Sequence, residues 1–273
     1  MLSPILHQPA NFSVGPLEIT GFGLAVLAAF AISQIICQRE LWRRGHNLEA
    51  DAIPDIVLAA LLGTLIGAKT YYVVLTGDPG AFLSRGGFVF WGGFMGSVAL
   101  CWAVIKYKKL NFLRIADVAG IAIAAGYAVG RTGCWAVGDD YGRPWNGFLA
   151  TQFPNGAPPS TVSVMSSQFG VEFPAGTNPL DVVAVHPTQL YETVMGFIMF
   201  AILWRFRAHR HREGWLFGMY CLVAGIERFI VEFFRAKDDT LTFGLTTAQI
   251  IAITIFTVGV GLLATRRGTV ATA

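Results

Sequence analysis

Seven long apolar stretches alternate with short polar segments along this chain of 273 residues. A helix that crosses the hydrocarbon core of a bilayer needs about 20 mostly apolar residues, and each stretch comes close to that length. We therefore predict seven membrane-spanning helices, at residues 19–37, 53–76, 88–105, 115–130, 188–206, 214–234 and 246–264. The pattern predicts an all-α, polytopic membrane protein.

The composition supports this prediction and narrows the class of protein. Hydrophobic residues make up 54% of the chain and charged residues only 14%, whereas an ordinary soluble domain is about a quarter charged. The net charge of +3 is too small to indicate a nucleic-acid partner. The four cysteines show no paired short spacing, so we expect neither a disulfide framework nor a metal or cofactor site. Because no repeat or second domain is visible, residues 1–273 are expected to form one integral membrane domain.

The basic residues are distributed unequally between the two ends of the predicted helices. Positive charge concentrates on the cytoplasmic side of membrane proteins. Thirteen basic residues follow helices one, three, five and seven: Arg39, Arg43, Arg44, Lys106, Lys108, Lys109, Arg114, Arg205, Arg207, Arg210, Arg212, Arg266 and Arg267. Four lie on the opposite side: Arg85, Arg143, Arg235 and Lys237. The N-terminus is therefore predicted outside and the C-terminus in the cytoplasm, with the long segment at about 132–187 forming an outer loop.

Three charged stretches lie at the outer ends of these helices. "RTGCWAVGDDYGR" follows the fourth, "VHPTQLYE" leads into the fifth, and "ERFIVEFFRAKDD" ends the sixth. In the last stretch, Arg228, Glu232 and Arg235 recur at helical spacing and share one face. An arginine at membrane depth is costly, so it should face protein or a wet cavity. This face is either an ion pair that holds the helices together or a cationic wall for an anionic ligand.

Arg131 lies at the predicted mouth of the fourth helix, between Gly130 and Gly133. It could extend to the interface as long basic side chains do. The glycines allow close approach, however, and the planar guanidinium suits two-point recognition of phosphate. Several arginines at one leaflet favour a site for a lipid phosphate.

His186 and Tyr191 flank the start of the fifth helix. They could serve the helix end, with Pro187 at its start, Thr188 as N-cap and tyrosine at the interface. His186 is also the one histidine that the predicted topology places near the arginines. It is therefore a candidate for proton exchange.

The glycine-rich stretch "GGFVFWGGFMG" opens the third helix. Small residues at such spacing favour close helix packing. The alternative is a groove for a lipid tail, with Trp91 at the level of the head groups.

Taken in order along the chain, these motifs resemble the bacterial prolipoprotein diacylglyceryl transferases. The resemblance covers nearly the whole length and includes "FSVGPLEITGFG", "GGFVFWGGFMG", "GRTGCWAVGDDYGR", "HPTQLYE" and "ERFIVEFFRAKDD". It implies a multi-pass protein of the bacterial cytoplasmic membrane whose site faces the outer leaflet. The implied reaction transfers the diacylglyceryl group of phosphatidylglycerol to the lipobox cysteine in the signal peptide of a prolipoprotein. A thioether and glycerol 1-phosphate are the implied products.

The resemblance also implies roles for individual residues. Arg131 matches the arginine assigned to phosphatidylglycerol, and Arg228 and Glu232 match the functional pair of the sixth helix. Asp139 stands where the family usually has glutamate, and Gly142 matches a signature glycine. The wider expected site has catalytic residues Arg228, Glu232, Asp139 and His186, and lipid-binding residues Arg131, Arg143, Arg235, Gly142, Trp91 and Tyr191.

Three positions depart from the family pattern. Trp91 replaces a histidine, Cys134 an asparagine and Phe22 a tyrosine. With that histidine absent, Asp139, Asp140 and His186 are all candidates for the base that activates the thiol. An alternative function is a non-catalytic protein of the same fold that binds or moves anionic phospholipid. A transporter for a small anion is disfavoured, because transporters often show internal repeats and polar groups at the midplane.

The predicted orientation can be tested with topology reporters. A reporter fused after Arg267 should report a cytoplasmic location, and one inserted near Ser160 an external location, because the basic residues orient the chain. A cytoplasmic signal from the insertion near Ser160 would contradict the placement of all three charged stretches.

Overall fold

A computed structural model describes residues 3–14, 17–84, 87–236, 241 and 244–268. Arg85 and Lys237, two of the basic residues predicted outside, lie beyond these described residues, as does the end of "ERFIVEFFRAKDD". The chain separates into two compact units. One consists of Met1–Ser33 and Gly120–Ala273, and the other of Gln34–Ala119. The single membrane domain stays a prediction.

The described residues form eight α-helices and five short strands. The helices are α1 (Gly21–Arg43), α2 (Asn47–Thr76), α3 (Phe90–Tyr107), α4 (Phe112–Val137), α5 (Val162–Phe169), α6 (Thr188–Phe206), α7 (Trp215–Glu232) and α8 (Thr247–Thr265). The strands are β1 (Ile5–Leu6), β2 (Asn11–Val14), β3 (Leu17–Thr20), β4 (Thr151–Gln152) and β5 (Ala184–Val185).

The long helices confirm the predicted fold class. Each of the seven predicted spans corresponds to one helix, and α5 is an additional short helix. By length and apolar composition, four helices of the described chain could cross a membrane: α1, α2, α4 and α8. The total of seven spans and the sides of the termini stay predictions.

Helix α4 is longer than the sequence pattern predicts. The apolar stretch predicts an end at Gly130, but the helix continues to Val137, so Arg131 lies within the helix and not at its mouth. Gly133 lies within the helix and against α1, where an added Cβ would come within 2.7 Å of the Cβ of Ala25, so the close approach of the two helices explains the glycine. The helix ends at Gly138, whose φ of +72° is a left-handed conformation that favours glycine.

The unit Gln34–Ala119 contains the glycine-rich start of α3. Gly92 and Gly96 of α3 contact Gly67 and Gly63 of α2 so closely that a Cβ at any of these four positions would collide with the facing backbone. The prediction of close helix packing is therefore confirmed.

The segment predicted as an outer loop contains regular secondary structure. Between α4 and α6 it contains β4, α5 and β5, and it encloses its own apolar core of Tyr141, Phe153, Met165 and Val185, with Ala236. Strand β4 pairs in parallel with β1 and antiparallel with β5. Ser160 is buried there, so an inserted reporter is better placed at the exposed turn of Ala175 and Gly176.

Three short extended segments meet where residues 138–187, predicted to lie outside and called the outer segment below, join the helices. Residues 142–145 lie between residues 184–186 and 234–235, with backbone bonds from Gly142 to His186 (2.8 Å) and from Arg143 to Phe234 (2.8 Å). An added Cβ at Gly142 would collide with the carbonyl of Phe234, which explains a glycine there. These segments bring the ends of α4, α6 and α7 together, and these ends carry the charged residues.

Candidate active site

Three arginines from two parts of the chain lie together in the unit that contains α4, α6 and α7. We call Arg131, Arg228 and Arg235 the arginine cluster. Arg131 projects from α4 and Arg228 from the last turns of α7, whereas Arg235 belongs to the extended segment just beyond α7. The sequence predicted this grouping, but the prediction that Arg235 shares a helix face with Arg228 and Glu232 is wrong, because α7 ends at Glu232. All three arginines contact shared carboxylates.

Glu192 of α6 is the carboxylate common to all three arginines. Its side chain is fully buried, with 0% of its surface exposed. Its oxygens lie 3.2 Å from Nε of Arg131, 3.5 Å from Nη1 of Arg235 and 3.9 Å from Nη1 of Arg228. A buried carboxylate is strongly unfavourable unless cations compensate it. The three arginines supply that compensation, and Glu192 in turn limits their mutual repulsion.

Asp140 forms a second bridge, from the side of the cluster that is nearer to solvent. Its two oxygens lie 2.8 Å from Nη1 of Arg131 and 2.9 Å from Nη2 of Arg235. Burial opposes ionisation of Asp140, but Arg235 and Arg131 outweigh that effect and lower its pKa to about 2. Asp140 is therefore a permanent anion of the site.

The turn that carries Asp140 is fixed by the start of α6. The hydroxyl of Thr188 donates to the carbonyl of Asp140 (2.5 Å), and the amide of Gln189 donates to the carbonyl of Asp139. The prediction of Thr188 as an N-cap is wrong: the N-cap of α6 is Pro187, without a side-chain bond. The hydroxyl is used to join α6 to the turn after α4.

Glu232 completes the charge balance of the cluster. Its Oε2 lies 2.7 Å from Nη2 of Arg228, one helical turn earlier, and 3.9 Å from Nε of Arg235. In the described part of the chain, three carboxylates (Asp140, Glu192 and Glu232) thus contact three guanidinium groups. Nη1 of Arg228 is buried without a hydrogen-bond partner among the described residues, although the Arg228 side chain is 27% exposed. Arg228 is also the most exposed of the three cluster arginines.

Asp139 differs from its neighbour in its surroundings. Its Oδ1 is buried and accepts no hydrogen bond from any described residue. Burial, together with the negative charge of Asp140, raises the pKa of Asp139 to about 6. A carboxylate with a pKa close to neutrality is suited to accepting and returning a proton.

His186 and Tyr191 lie together in an aromatic cluster. Nδ1 of His186 is 3.2 Å from the hydroxyl of Tyr191, its ring stacks on Trp145 at 4.3 Å between centroids, and Phe234 packs against both residues. Burial lowers the pKa of His186, so its imidazole is neutral at pH 7. The contact of Nδ1 with Tyr191 and the packing of the ring against Trp145 and Phe234 leave His186 less free than Asp139 to accept a proton from a substrate.

The other predicted site residues have diverse positions. Arg143 directs its Nε to the carbonyl of Arg235 (2.9 Å), so it supports the segment that carries a cluster arginine. Gly142 lies in the same extended junction. Trp91 belongs to the unit Gln34–Ala119, where it is about half exposed and contacts Phe90 and Phe94 edge-on. A role for Trp91 beside the lipid stays a prediction.

One group of metal-ligating side chains exists among the described residues. Sγ of Cys134 and one oxygen each of Asp139 and Asp140 lie within 4.8 Å of one another. However, both oxygens of Asp140 already contact arginines, and Nη1 of Arg131 lies 3.7 Å from Sγ of Cys134. These guanidinium groups disfavour a metal cation at this position.

Glu192 and a neighbouring pair, Tyr127 and Glu227, were not among the site residues predicted from the sequence. Glu192 was visible as the last residue of "HPTQLYE", a carboxylate at the start of an apolar helix. Such a group needs a cationic partner at the same depth. From that requirement, Glu192 could have been predicted to pair with the arginines, but the sequence does not indicate which of them.

Comparisons with known proteins identify the family of the chain. The family model of prolipoprotein diacylglyceryl transferase matches residues 9–265. A phosphatidylglycerol–prolipoprotein diacylglyceryl transferase of Xanthomonas oryzae pv. oryzae is 29% identical over 95% of this chain and 91% of its own length. The proteins of the same name from Xanthomonas euvesicatoria pv. vesicatoria and Xanthomonas campestris pv. campestris have the same identity and coverage. With a family match over nearly all of its length, the chain belongs to the prolipoprotein diacylglyceryl transferase family.

Proposed function

We propose that this protein transfers the diacylglyceryl group of phosphatidylglycerol to a cysteine thiol of a prolipoprotein. The observation that carries the proposal is the arginine cluster: three guanidinium groups are held together by shared carboxylates, and Arg228 is the most exposed of the three arginines. A chain of this family with such a cluster is equipped to bind a lipid phosphate. We place the reaction at the outer leaflet of the bacterial cytoplasmic membrane, with the lipobox cysteine as acceptor.

The reaction requires a thiolate, an exposed carbon and a stabilised leaving group. The thiolate sulfur attacks the carbon of the diacylglyceryl group that is bonded to the phosphate oxygen. A C–S bond forms as the C–O bond breaks, and the electron pair of that bond leaves with glycerol 1-phosphate. Arg131 and Arg228 stabilise the phosphate charge that develops, because preorganised cations act most strongly on charge formed in the transition state.

Asp139 is our choice for the base that takes the thiol proton. Of the three candidates, Asp140 is committed to two arginines, and His186 is packed between Trp145, Phe234 and Tyr191. Asp139 keeps an unpaired buried oxygen in the described structure. Glu232 orients Arg228 through their ion pair, and Arg143 supports Arg235.

Lysine substitutions test the role of the arginine geometry. Arg131→Lys should lower kcat/KM for phosphatidylglycerol about a hundredfold, because one ammonium group cannot contact both Asp140 and Glu192 and still bind phosphate. Arg228→Lys should have a similar effect. The exposed Arg210→Lys is the control and should retain wild-type turnover. Diacylglyceryl transfer to a lipobox peptide is the measurement, and near-normal turnover by either cluster variant would make that arginine structural.

The pH dependence of turnover tests Asp139 as the base. With a pKa of about 6, Asp139 is ionised at pH 7 and protonated at pH 5, so the rate should fall as the pH falls through 6. Asp139→Asn should remove most turnover at pH 7 and also this acidic limb. The exposed Asp181→Asn should keep the wild-type profile. An unchanged acidic limb in Asp139→Asn would assign the proton transfer to another group.

A further inference from the structure

A tyrosine and a glutamate form a hydrogen-bonded pair beside the arginine cluster. The hydroxyl of Tyr127, on α4, donates to Oε1 of Glu227, on α7, over 2.9 Å. Glu227 is only 6% exposed, whereas Tyr127 is partly exposed. Neither residue has a part in the reaction described above.

The burial of Glu227 calls for an explanation. A carboxylate within an apolar helix is expensive in a membrane, and such groups are by default candidates for function. Glu227 precedes Arg228 by one residue, but it is turned toward α4 and accepts from Tyr127, whereas Arg228 pairs with Glu232. The burial of the Glu227 carboxylate is unfavourable, and the hydroxyl of Tyr127 is the group that donates a hydrogen bond to it.

Tyr127 connects this acceptor to the arginine cluster. It lies four residues before Arg131 on α4, about 6 Å along the helix axis. The guanidinium carbon of Arg131 is 5.3 Å from the centre of the Tyr127 ring, within the range of a cation–π contact. The ring is thus attached to α4 through its backbone and to α7 through its hydroxyl, and it supports Arg131.

We propose that Tyr127 and Glu227 are positioning residues for Arg131. Glu227 fixes the hydroxyl of Tyr127, and the fixed ring limits the orientations of the guanidinium group. Asp140 accepts a hydrogen bond from Nη1 of Arg131, and Glu192 lies 3.2 Å from its Nε, so both carboxylates act at the nitrogens of the guanidinium. The Tyr127 ring adds a contact 5.3 Å from the guanidinium carbon, so the guanidinium is aligned before a lipid phosphate arrives. This inference rests on the proposed function, because it assigns phosphatidylglycerol as the ligand of Arg131.

Substitutions at both positions separate positioning from proton transfer. Tyr127→Phe keeps the ring but loses the hydroxyl, and it should raise KM for phosphatidylglycerol about fivefold, with kcat within about twofold of wild type. Tyr127→Leu also loses the ring and should raise KM at least about tenfold. Glu227→Gln retains an oxygen that accepts from Tyr127 and should stay close to wild type, whereas Glu227→Leu should resemble Tyr127→Phe.

Tyr141→Phe is the matched control for loss of a hydroxyl. Tyr141 belongs to the same unit and donates to the carbonyl of Pro158 (3.0 Å), within the separate core of the outer segment. Its substitution should leave KM unchanged. In addition, Tyr127→Phe should add little to the defect of Arg131→Lys, because both changes act on the same guanidinium.

We would measure both turnover and the binding of phosphatidylglycerol to the purified protein. Phosphatidylcholine is the reference lipid. If the wild type binds phosphatidylglycerol without transferring its diacylglyceryl group, the proposed function fails, and weaker binding by Tyr127→Phe still supports positioning. Loss of turnover in Glu227→Gln with intact binding would overturn positioning in favour of proton transfer. Wild-type binding and KM in both Tyr127→Phe and Glu227→Leu would also overturn it. If Tyr127→Leu does not fold, Tyr127→Phe and Glu227→Leu still test the proposal.

Discussion

The shared carboxylate of Glu192 is the interaction on which the arrangement of the site depends. Three guanidinium groups repel one another and are poorly tolerated in an apolar environment, and a lone buried carboxylate is no better. Because Glu192 contacts all three arginines from a fully buried position, each charge compensates the others. Asp140 and Glu232 complete the balance from two other elements. The cluster is thus stable only as a set, and an entering phosphate meets donors that are already assembled.

The backbone around the cluster explains how distant residues reach it. Gly138 ends α4 in a left-handed conformation, and the following turn directs Asp140 back toward Arg131. Thr188 and Gln189 hold that turn against the start of α6, which also carries Glu192. The segments at Gly142 and Arg235 pair without room for a side chain at Gly142. The glycines of the signature therefore serve mainly to bring charged groups together.

Much of this arrangement is predictable from the sequence, but the pairing within it is not. The apolar stretches predict the seven long helices, and helical spacing predicts that Arg228 and Glu232 share a face. The glycines around Arg131 suggested a helix end, but Gly133 lies within α4 and allows close packing against α1, which a local glycine pattern does not reveal. The roles of Glu192 and Glu227 likewise depend on which residues of α4 they face. The core of the outer segment joins residues far apart in a sequence that looks like a loop.

Two adjacent acidic residues have opposite roles in the site. Asp139 and Asp140 are neighbours in sequence, yet the arginines lower the pKa of Asp140, while burial raises that of Asp139. One is therefore a structural anion and the other is available for proton transfer. This division supports our proposal that Asp139 is the base.

The central claim, that Glu192 gathers the arginines into a phosphate site, is tested most directly by lipid-dependent thermal stability. The melting temperature of the purified protein is measured with phosphatidylglycerol and with phosphatidylcholine, in the wild type and in Glu192→Gln. Without the shared carboxylate the three arginines are no longer held together, so phosphatidylglycerol should raise the melting temperature of Glu192→Gln less than that of the wild type, whereas phosphatidylcholine should affect both proteins alike. If phosphatidylglycerol stabilised Glu192→Gln as much as the wild type, the account would be contradicted.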